Sequence, residues 1–487
     1  AANGGFPLDD SWIHQVYGRN LAQTGQWAFV PGIPSAASTS PLYTVLLALG
    51  YALNVPYTLW THTLGALALW LAGVFGARLA ERLLPENPSI GLVAGLALVL
   101  AWHLIWAAAS GMETMLFSLW TLVLLTLAWQ ELDEPKGAGR APFLRGVIFG
   151  VATALAVMTR PEIIGLAGLI GLVMLAVRPQ NSWRPFLFWA GGAVLGFGVM
   201  ITPYLALNLQ LTGGLLPNTA AAKQAEYAPI IEHLSYPARL WEMFKPLFAG
   251  GQWLLVPGII YFVIVVGRQI RIARNAWFYL LPVAWALALI ALYAARLPAP
   301  YQHGRYVIPA LPALIVSGVV GSAWMLRDGR FSLLGRVVSR ALAVAAALGF
   351  IYFVFAGASV YSRDVQIIDE EMVRAAQWIA DQLPPEERLV VHDIGAVGYF
   401  APRFILDLAG LVSPEIVPFI HDKDRLWDWM QQHDARYLMA FPDQIPGKTT
   451  DDPRLCAVFG TGGTASPAAG GPNMAVYRLA WDGVCGD

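Results

Sequence analysis

Long apolar stretches separated by short polar loops recur along the first three quarters of the chain. A transmembrane helix needs about 20 apolar residues to cross a hydrocarbon core of about 30 Å. Ten stretches approach this length, and we predict that each spans a membrane. They are 57–80, 89–109, 112–131, 143–159, 162–178, 186–207, 252–267, 277–295, 306–325 and 341–361. The shorter apolar segment 41–55 has a proline at its start and another just beyond its end, which favours a re-entrant or interfacial element.

Composition agrees with this pattern. Of the 487 residues, 57% are hydrophobic and 13% are charged, whereas soluble domains carry about 25% charged residues. The 19 Trp and 17 Tyr suit aromatic belts at the two membrane interfaces. The net charge of −1 gives no basic field that would attract nucleic acid.

Lysine and arginine concentrate in alternate loops between the predicted spans. Cytoplasmic loops are enriched in these residues. We therefore predict that residue 1, the loop 208–251 and the tail 362–487 lie outside the cytoplasm. The basic loop residues are Arg78, Arg82, Lys136, Arg140, Arg145, Arg178, Arg184, Arg268, Arg271, Arg274, Arg327, Arg330, Arg336 and Arg340.

The tail differs from the rest of the chain because it is charged and alternates strand-like with helical patterns. Helices are predicted across 367–383 and 424–433, and strands across 388–393, 436–441 and 473–480. This alternation predicts a small α/β domain. The glycine-containing HDIGAVGY is expected to be a structural turn, because it lacks the G-x-G-x-x-G pattern. We thus divide the chain into an all-α polytopic membrane domain, 1–361, with a first outer loop 1–56, and an extracytoplasmic α/β domain, 362–487.

The two cysteines, Cys456 and Cys485, both fall in this domain. An oxidising compartment favours their pairing, and the intervening strand could return the second cysteine toward the first. No CxxC motif or Cys/His cluster indicates a bound metal.

The first outer loop carries two adjacent carboxylates, Asp9 and Asp10, at the predicted start of an amphipathic helix. The helix pattern suits a position along the membrane interface. Either aspartate could cap that helix or face a pocket. The chain opens inside this loop, so we expect one further helix upstream.

The other ionisable groups near span ends gather on the same outer side. They include Glu113, Arg160, Glu162, Arg296, His303 and Arg305. Transporters place such groups near the membrane midplane. Groups at the outer surface instead favour chemistry on a substrate of the outer leaflet.

Several segments occur in an order found in one known superfamily. The acidic pair is followed by TSPLYTVLLALGYAL, and then by TRPEIIGLAG, GGLLPNTAAAK, YQHGRYVIPALP and HDIGAVGYFAPRFILDLAGL. This order resembles the GT-C membrane glycosyltransferases, which include protein O-mannosyltransferases, lipid A aminoarabinose transferases and arabinofuranosyltransferases. The resemblance implies an inverting hexosyl- or pentosyltransferase in a bacterial inner membrane. Its donor would be a polyprenyl-phosphate-linked sugar, and its acceptor a glycan, lipid or protein outside the cytoplasm.

The resemblance also implies roles for particular residues. Asp9 or Asp10 would accept the proton of the acceptor hydroxyl, and cations would stabilise the departing lipid phosphate. The candidates for the phosphate or substrate site are Arg160, Glu162, Lys223, His303, Arg305 and Tyr306. No cofactor is specified; two carboxylates can bind a divalent cation but alone indicate none.

Structural roles are the alternative for each residue. Arg305 could extend to the membrane surface, His303 and Lys223 could be solvated, and Arg160 could pair with Glu162 across the proline turn. Glu113 is expected to cap or to form an ion pair. The rival functions are a non-catalytic subunit of a membrane assembly and a transporter.

Overall fold

The computed structural model describes residues 5–133, 140–177, 183–215, 219–270, 276–329 and 332–485. Its helices are α1 (Asp10–Thr24), α2 (Pro41–Ala52), α3 (Tyr57–Leu83), α4 (Ile90–Val99), α5 (Trp102–Ala109), α6 (Thr114–Asp133), α7 (Arg140–Val157), α8 (Ile164–Val177), α9 (Arg184–Thr212), α10 (Thr219–Glu226), α11 (Ala228–His233), α12 (Tyr236–Phe244), α13 (Val256–Ile270), α14 (Trp277–Arg296), the turn α15 (Tyr301–Gly304), α16 (Leu311–Gly329), α17 (Leu333–Ile368), α18 (Arg374–Gln382), α19 (Gly395–Phe400), α20 (Lys423–Gln432) and α21 (Ala465–Ala468).

Within these described ranges, eight helices are long and apolar enough to cross a membrane. The pair α4 and α5, bent by 53°, makes a ninth. The tenth predicted span, 162–178, corresponds to α8 and its preceding turn, which form a shorter apolar helix. The segment 41–55 forms the short helix α2. The chain is thus a multi-pass membrane protein with the predicted helical membrane domain.

Small residues allow α7 and α9 to pack closely. Gly146 and Gly150 of α7 lie against the backbone of α9, and Gly192 and Gly196 of α9 lie against the backbone of α7. The glycines are four residues apart on each helix, as in the small-residue interfaces of membrane helices. A methyl group at any of them would clash with backbone atoms of the facing helix.

The predicted domain boundary at 361 falls inside a helix. α17 continues through a single π-helical segment, Asp369–Val373, into α18, so that one helix runs from the membrane into the tail. The tail itself folds around a five-stranded mixed sheet, as its alternating pattern predicts. The sheet contains β3 (Leu389–Val391), β4 (Ile405–Asp407), β5 (Tyr437–Ala440), β6 (Leu455–Gly460) and β7 (Ala475–Leu479) in the order β4-β3-β5-β7-β6.

Two features of this domain go beyond the sequence pattern. β4, β3 and β5 are parallel, whereas β7 pairs antiparallel with β5 and β6. GAVGYF forms the helix α19 where the sequence predicts a turn. Cys456 of β6 and Cys485 form a disulfide, with 5.5 Å between their Cα atoms.

The first outer loop adds α1 and a small hairpin, β1 (Ala28–Val30) and β2 (Ile33–Pro34). α1 is enclosed by protein on more than one face, which its amphipathic pattern does not predict. Its apolar residues, among them Trp12, Val16 and Tyr17, share a core with the C-terminal domain. Its polar face is buried too, because α1 packs between α2 and α19. The helix therefore joins the two domains.

Candidate active site

A cavity of about 650 Å³ lies between one end of the membrane helices and the C-terminal domain. Its membrane-side wall includes Asp10, Lys223 and Arg305, and its opposite wall includes His392 and Asp393. The volume is within the range of small-molecule sites, about 300–1,000 Å³. Residues of both domains therefore face one ligand-sized space.

Asp10 lies at the centre of the charged cluster on the membrane side. Its Oδ2 accepts a hydrogen bond from Nη2 of Arg305 at 2.5 Å and from Nζ of Lys223 at 3.3 Å. Burial opposes the charge of Asp10, but Lys223 and Arg305 outweigh it and hold the pKa of Asp10 well below its usual range. The side chain is 29% exposed, so an ionised carboxylate lines the cavity.

Tyr306 contacts both Arg305 and Lys223. Its hydroxyl accepts hydrogen bonds from Arg305 at 2.9 Å and from Lys223 at 3.2 Å. The guanidinium carbon atoms of Arg305 and Arg160 lie 4.8 Å and 5.3 Å from the centre of its ring, within cation–π distance. The aromatic ring thus holds three cations of distant segments close together.

Arg305 has unused hydrogen-bonding capacity. Its Nε and Nη1 are buried and have no hydrogen-bond partner among the described residues. A buried unpaired donor costs about 1–3 kcal/mol, and more when it is charged. A second cavity, of only about 20 Å³, is lined by Arg305, Asp10, Arg160 and Lys223 among others. Arg305 also lines the larger cavity, where an anionic group could use its unpaired donors.

Arg160 belongs to a buried chain of ion pairs next to this cluster. Its Nε lies 2.6 Å from Oε1 of Glu113, whose Oε2 lies 3.2 Å from Nε2 of His14. Glu162 is more distant, with 4.0 Å from its Oε1 to Nη1 of Arg160, and it accepts a hydrogen bond from Tyr293 at 2.9 Å. Glu113 therefore forms an ion pair, and it fixes Arg160 beside Tyr306.

Sequence reasoning missed His14. Asp10 and His14 are four residues apart on α1, so they lie on one helix face. That face meets both the Arg305 cluster and the Glu113 pair. The spacing alone could have identified His14 as a neighbour of the acidic residue.

Asp9 is used differently from Asp10. Neither aspartate caps α1 through its side chain. The carboxylate of Asp9 instead accepts hydrogen bonds from the amides of Gly395 and Ala396 at 2.6 Å and 2.8 Å. These hydrogen bonds lower the pKa of Asp9, but burial and the nearby charge of Asp393 outweigh them and raise it to about 8. Asp9 thus fastens the start of α19 to the first outer loop.

The same loop holds the other end of α19. Arg19, on α1, donates hydrogen bonds to the carbonyl oxygens of Tyr399 and Gly398 at 2.8 Å and 3.2 Å. Gly395 is required at the start of α19, since a Cβ there would clash with Asp9. The side chains of Asp9 and Arg19 thus satisfy backbone amides and carbonyl oxygens at the two ends of α19, where a helix leaves such groups without partners.

His303 lies apart from the Arg305 cluster, contrary to its expected place in the phosphate site. Its Nε2 lies 2.8 Å from Oδ2 of Asp364 on α17, and its ring meets Trp106 edge-on. The backbone explains this direction, because Gln302, His303 and Gly304 all have positive φ. Because of this left-handed turn, the side chain of His303 points away from that of Arg305, although the two are only two residues apart.

The C-terminal wall of the cavity was not predicted. His392 and Asp393 directly follow β3, and Gln444 follows β5. The sequence signal was present as two polar residues after a buried strand, but only the fold brings them opposite Asp10.

A family profile described as "Domain of unknown function (DUF8728)" matches residues 360–477. No curated protein matches the sequence. ArnT from Cupriavidus metallidurans, solved with undecaprenyl phosphate, superposes with a TM-score of 0.63 at 18% identity, covering 98% of this chain and 95% of ArnT.

A second solved structure agrees. The oligosaccharyltransferase AglB from Archaeoglobus fulgidus, in complex with an inhibitory peptide and a dolichol-phosphate, superposes with a TM-score of 0.55 at 11% identity. The alignment covers 99% of this chain and 71% of AglB. Both proteins are GT-C glycosyltransferases. The chain therefore has the GT-C fold over nearly its whole length.

Proposed function

We propose that the chain is a glycosyltransferase that moves a sugar from a polyprenyl-phosphate donor to an acceptor outside the cytoplasm. A fold hosts many activities, so the proposal rests on the site. The observation that carries it is the convergence of Asp10, Lys223 and Arg305 at one cavity, with two donors of Arg305 unused.

The donor phosphate would bind Arg305 and Lys223. Nε and Nη1 of Arg305 can both donate to phosphate oxygens, a pairing in which arginine is favoured. Lys223 adds a second positive charge from α10. As the bond from the sugar to phosphate breaks, the charge that develops on phosphate is stabilised by these fixed cations.

Asp10 is the preferred base. The acceptor hydroxyl gives its proton to Asp10 while its oxygen bonds to the anomeric carbon of the sugar. The bond to the phosphate oxygen breaks on the opposite side, its electron pair stays on the phosphate, and the configuration is inverted. Asp9 is less suited, because its two oxygens face the amides of Gly395 and Ala396 and its raised pKa leaves it largely protonated near neutral pH.

Donor binding would also activate the base. Arg305 and Lys223 both bind Oδ2 of Asp10, which lowers its basicity. A bound phosphate would compete for the same cations and weaken their hold on the carboxylate. Asp10 would then become more basic only when a donor is present.

The setting supports a lipid-linked donor. ArnT was solved with undecaprenyl phosphate and AglB with a dolichol-phosphate, and both ligands are phosphates on long isoprenoid chains. The arginine- and lysine-rich loops favour a cavity on the non-cytoplasmic side. We accordingly assign the protein to a bacterial inner membrane, with its C-terminal domain extracytoplasmic.

The test is transfer of labelled sugar from undecaprenyl-phosphate donors in membranes that contain the chain. Mannose, arabinose and aminoarabinose donors cover hexosyl and pentosyl transfer. Lys223→Ala should lower transfer at least tenfold, the equivalent of about one charge-assisted hydrogen bond. Lys245→Ala, in the same outer loop but paired with Glu242, is the matched control. Equal transfer by the two variants, or none by the wild type with any donor, would contradict the proposal.

A further inference from the structure

The C-terminal domain places a histidine–aspartate pair at a position of the sheet that favours ligand binding. β3 is followed along the chain by β4 on one side of it and then by β5 on its other side. The order of the strands therefore reverses at β3. In open α/β sheets, ligands bind beyond the carboxyl ends of the strands at such a switch point. His392 and Asp393 occupy that place, and both line the cavity opposite Asp10.

The pair is held in a defined orientation. Nδ1 of His392 lies 3.2 Å from Oδ1 of Asp393, whose Oδ2 accepts a hydrogen bond from Gln444 at 2.7 Å. The amide oxygen of Gln444 is itself fixed by the backbone N–H of Phe441. Because a carboxylate only accepts, Nδ1 carries a proton, and Nε2 is left for a ligand.

Nothing in the described part of the chain occupies that nitrogen. The side chain of His392 is 26% exposed. Among the described residues, its ring makes one hydrogen bond, from Nδ1 to Asp393. Burial opposes its charge, but Asp393 outweighs it and raises the pKa of His392 to about 9. Near neutral pH, Nε2 is therefore a charged donor that faces the cavity.

Glu226 supplies the complementary acceptor. It ends α10, three residues after Lys223, and lines the same cavity. Its charge acts on His392, although the two side chains are not in hydrogen-bond contact. A charged donor and a charged acceptor at separate points of a polar wall can bind neighbouring hydroxyl groups, each of which both donates and accepts.

We infer that His392, Asp393 and Glu226 form the acceptor subsite and that the acceptor is the hydroxyl-rich sugar of a glycan. The inference rests on the proposed function, and it names the substrate class of that site. The donor phosphate occupies the Arg305 side, and the sugar is held on the opposite wall with one hydroxyl toward Asp10. Asp393 is a positioning residue because it acts through His392.

The experiment is saturation-transfer NMR on the purified full chain in detergent. The probes are methyl α-mannoside, methyl β-glucoside, methyl β-galactoside and methyl α-arabinofuranoside, with a serine- and threonine-containing hexapeptide as the competing class. At least one glycoside should give a signal that falls at least fivefold in His392→Ala and in Glu226→Gln. His392→Gln, which keeps a donor, should restore part of it. His433→Ala, on the same domain but against Trp429, should leave it unchanged.

A parallel measurement separates this inference from the proposed function. Undecaprenyl phosphate should raise Tm equally in the wild type and in His392→Ala, because it binds at Arg305. No shift in the wild type would count against the proposed function. Glycoside signals that survive in His392→Ala and Glu226→Gln, the absence of any glycoside signal, or a peptide signal that replaces them would overturn the acceptor assignment.

Discussion

Replacing Arg305 by lysine isolates the geometry of the phosphate site from its charge. The guanidinium of Arg305 offers Nε and Nη1 as unpaired donors while Nη2 holds Asp10 and Tyr306. A lysine keeps a positive charge, but its single nitrogen lacks the planar fork with which a guanidinium binds phosphate bidentately.

The expected loss follows from the bonds removed. Hydrogen bonds to charged groups contribute about 1.5–3 kcal/mol each. Losing two, with part of the electrostatic attraction retained, gives a net loss of about 2–3 kcal/mol. This corresponds to a decrease of about 30- to 160-fold in kcat/KM for the donor.

The assay is donor-dependent transfer, combined with the Tm of each purified protein. Arg327→Lys is the matched control, because Arg327 pairs with Glu86 at an exposed position in the last turn of α16, at the end away from Arg305. Arg305→Lys should lose donor kcat/KM while retaining a Tm close to that of the wild type. A variant that folds normally and stays within threefold of the wild type would refute the role assigned to Nε and Nη1.

Three further outcomes are expected. The raised pKa of Asp9, about 8, means that folding favours its neutral form, so the stability of the protein should decline as pH rises from about 4 to about 8. The Tm of Asp9→Asn should decline less over this range than that of the wild type. The same decline in both proteins would contradict this reasoning. Replacing both Cys456 and Cys485 by serine should lower the unfolding free energy of the C-terminal domain by about 2–4 kcal/mol, measured by urea denaturation; no change would disprove a stabilising role. An impermeant thiol reagent on intact cells should label Thr450→Cys and not Arg336→Cys, and the reverse would overturn the topology.

The membrane architecture could be predicted from sequence because hydrocarbon thickness imposes a length on every span. Loop charge and apolar runs are local signals, and they identified the helical domain and the α/β tail. The cations Lys223 and Arg305 were also recognisable, since charge at the outer end of an apolar span is unusual. Their convergence on Asp10 depends on contacts across hundreds of residues, which no local pattern encodes.

The errors have the same origin. The apolar positions of α1 predicted a helix with one buried face, but polar residues such as Gln15 and Asn20 are buried as well. The role of Asp9 depends on two amides nearly four hundred residues away. His303 was assigned by its closeness to Arg305 in sequence, whereas the left-handed turn between them separates the two side chains.

The most direct test compares Asp10→Asn with Asp9→Asn in sugar transfer from undecaprenyl-phosphate donors, at matched protein levels in membranes. Asparagine keeps the shape of the side chain but cannot take up a proton. Loss of a general base typically costs about 10²–10⁴-fold in rate. We predict a decrease of this size for Asp10→Asn and less than tenfold for Asp9→Asn, which retains an acceptor for one amide of α19. Near-normal transfer by Asp10→Asn would contradict the central claim that this carboxylate is the catalytic base.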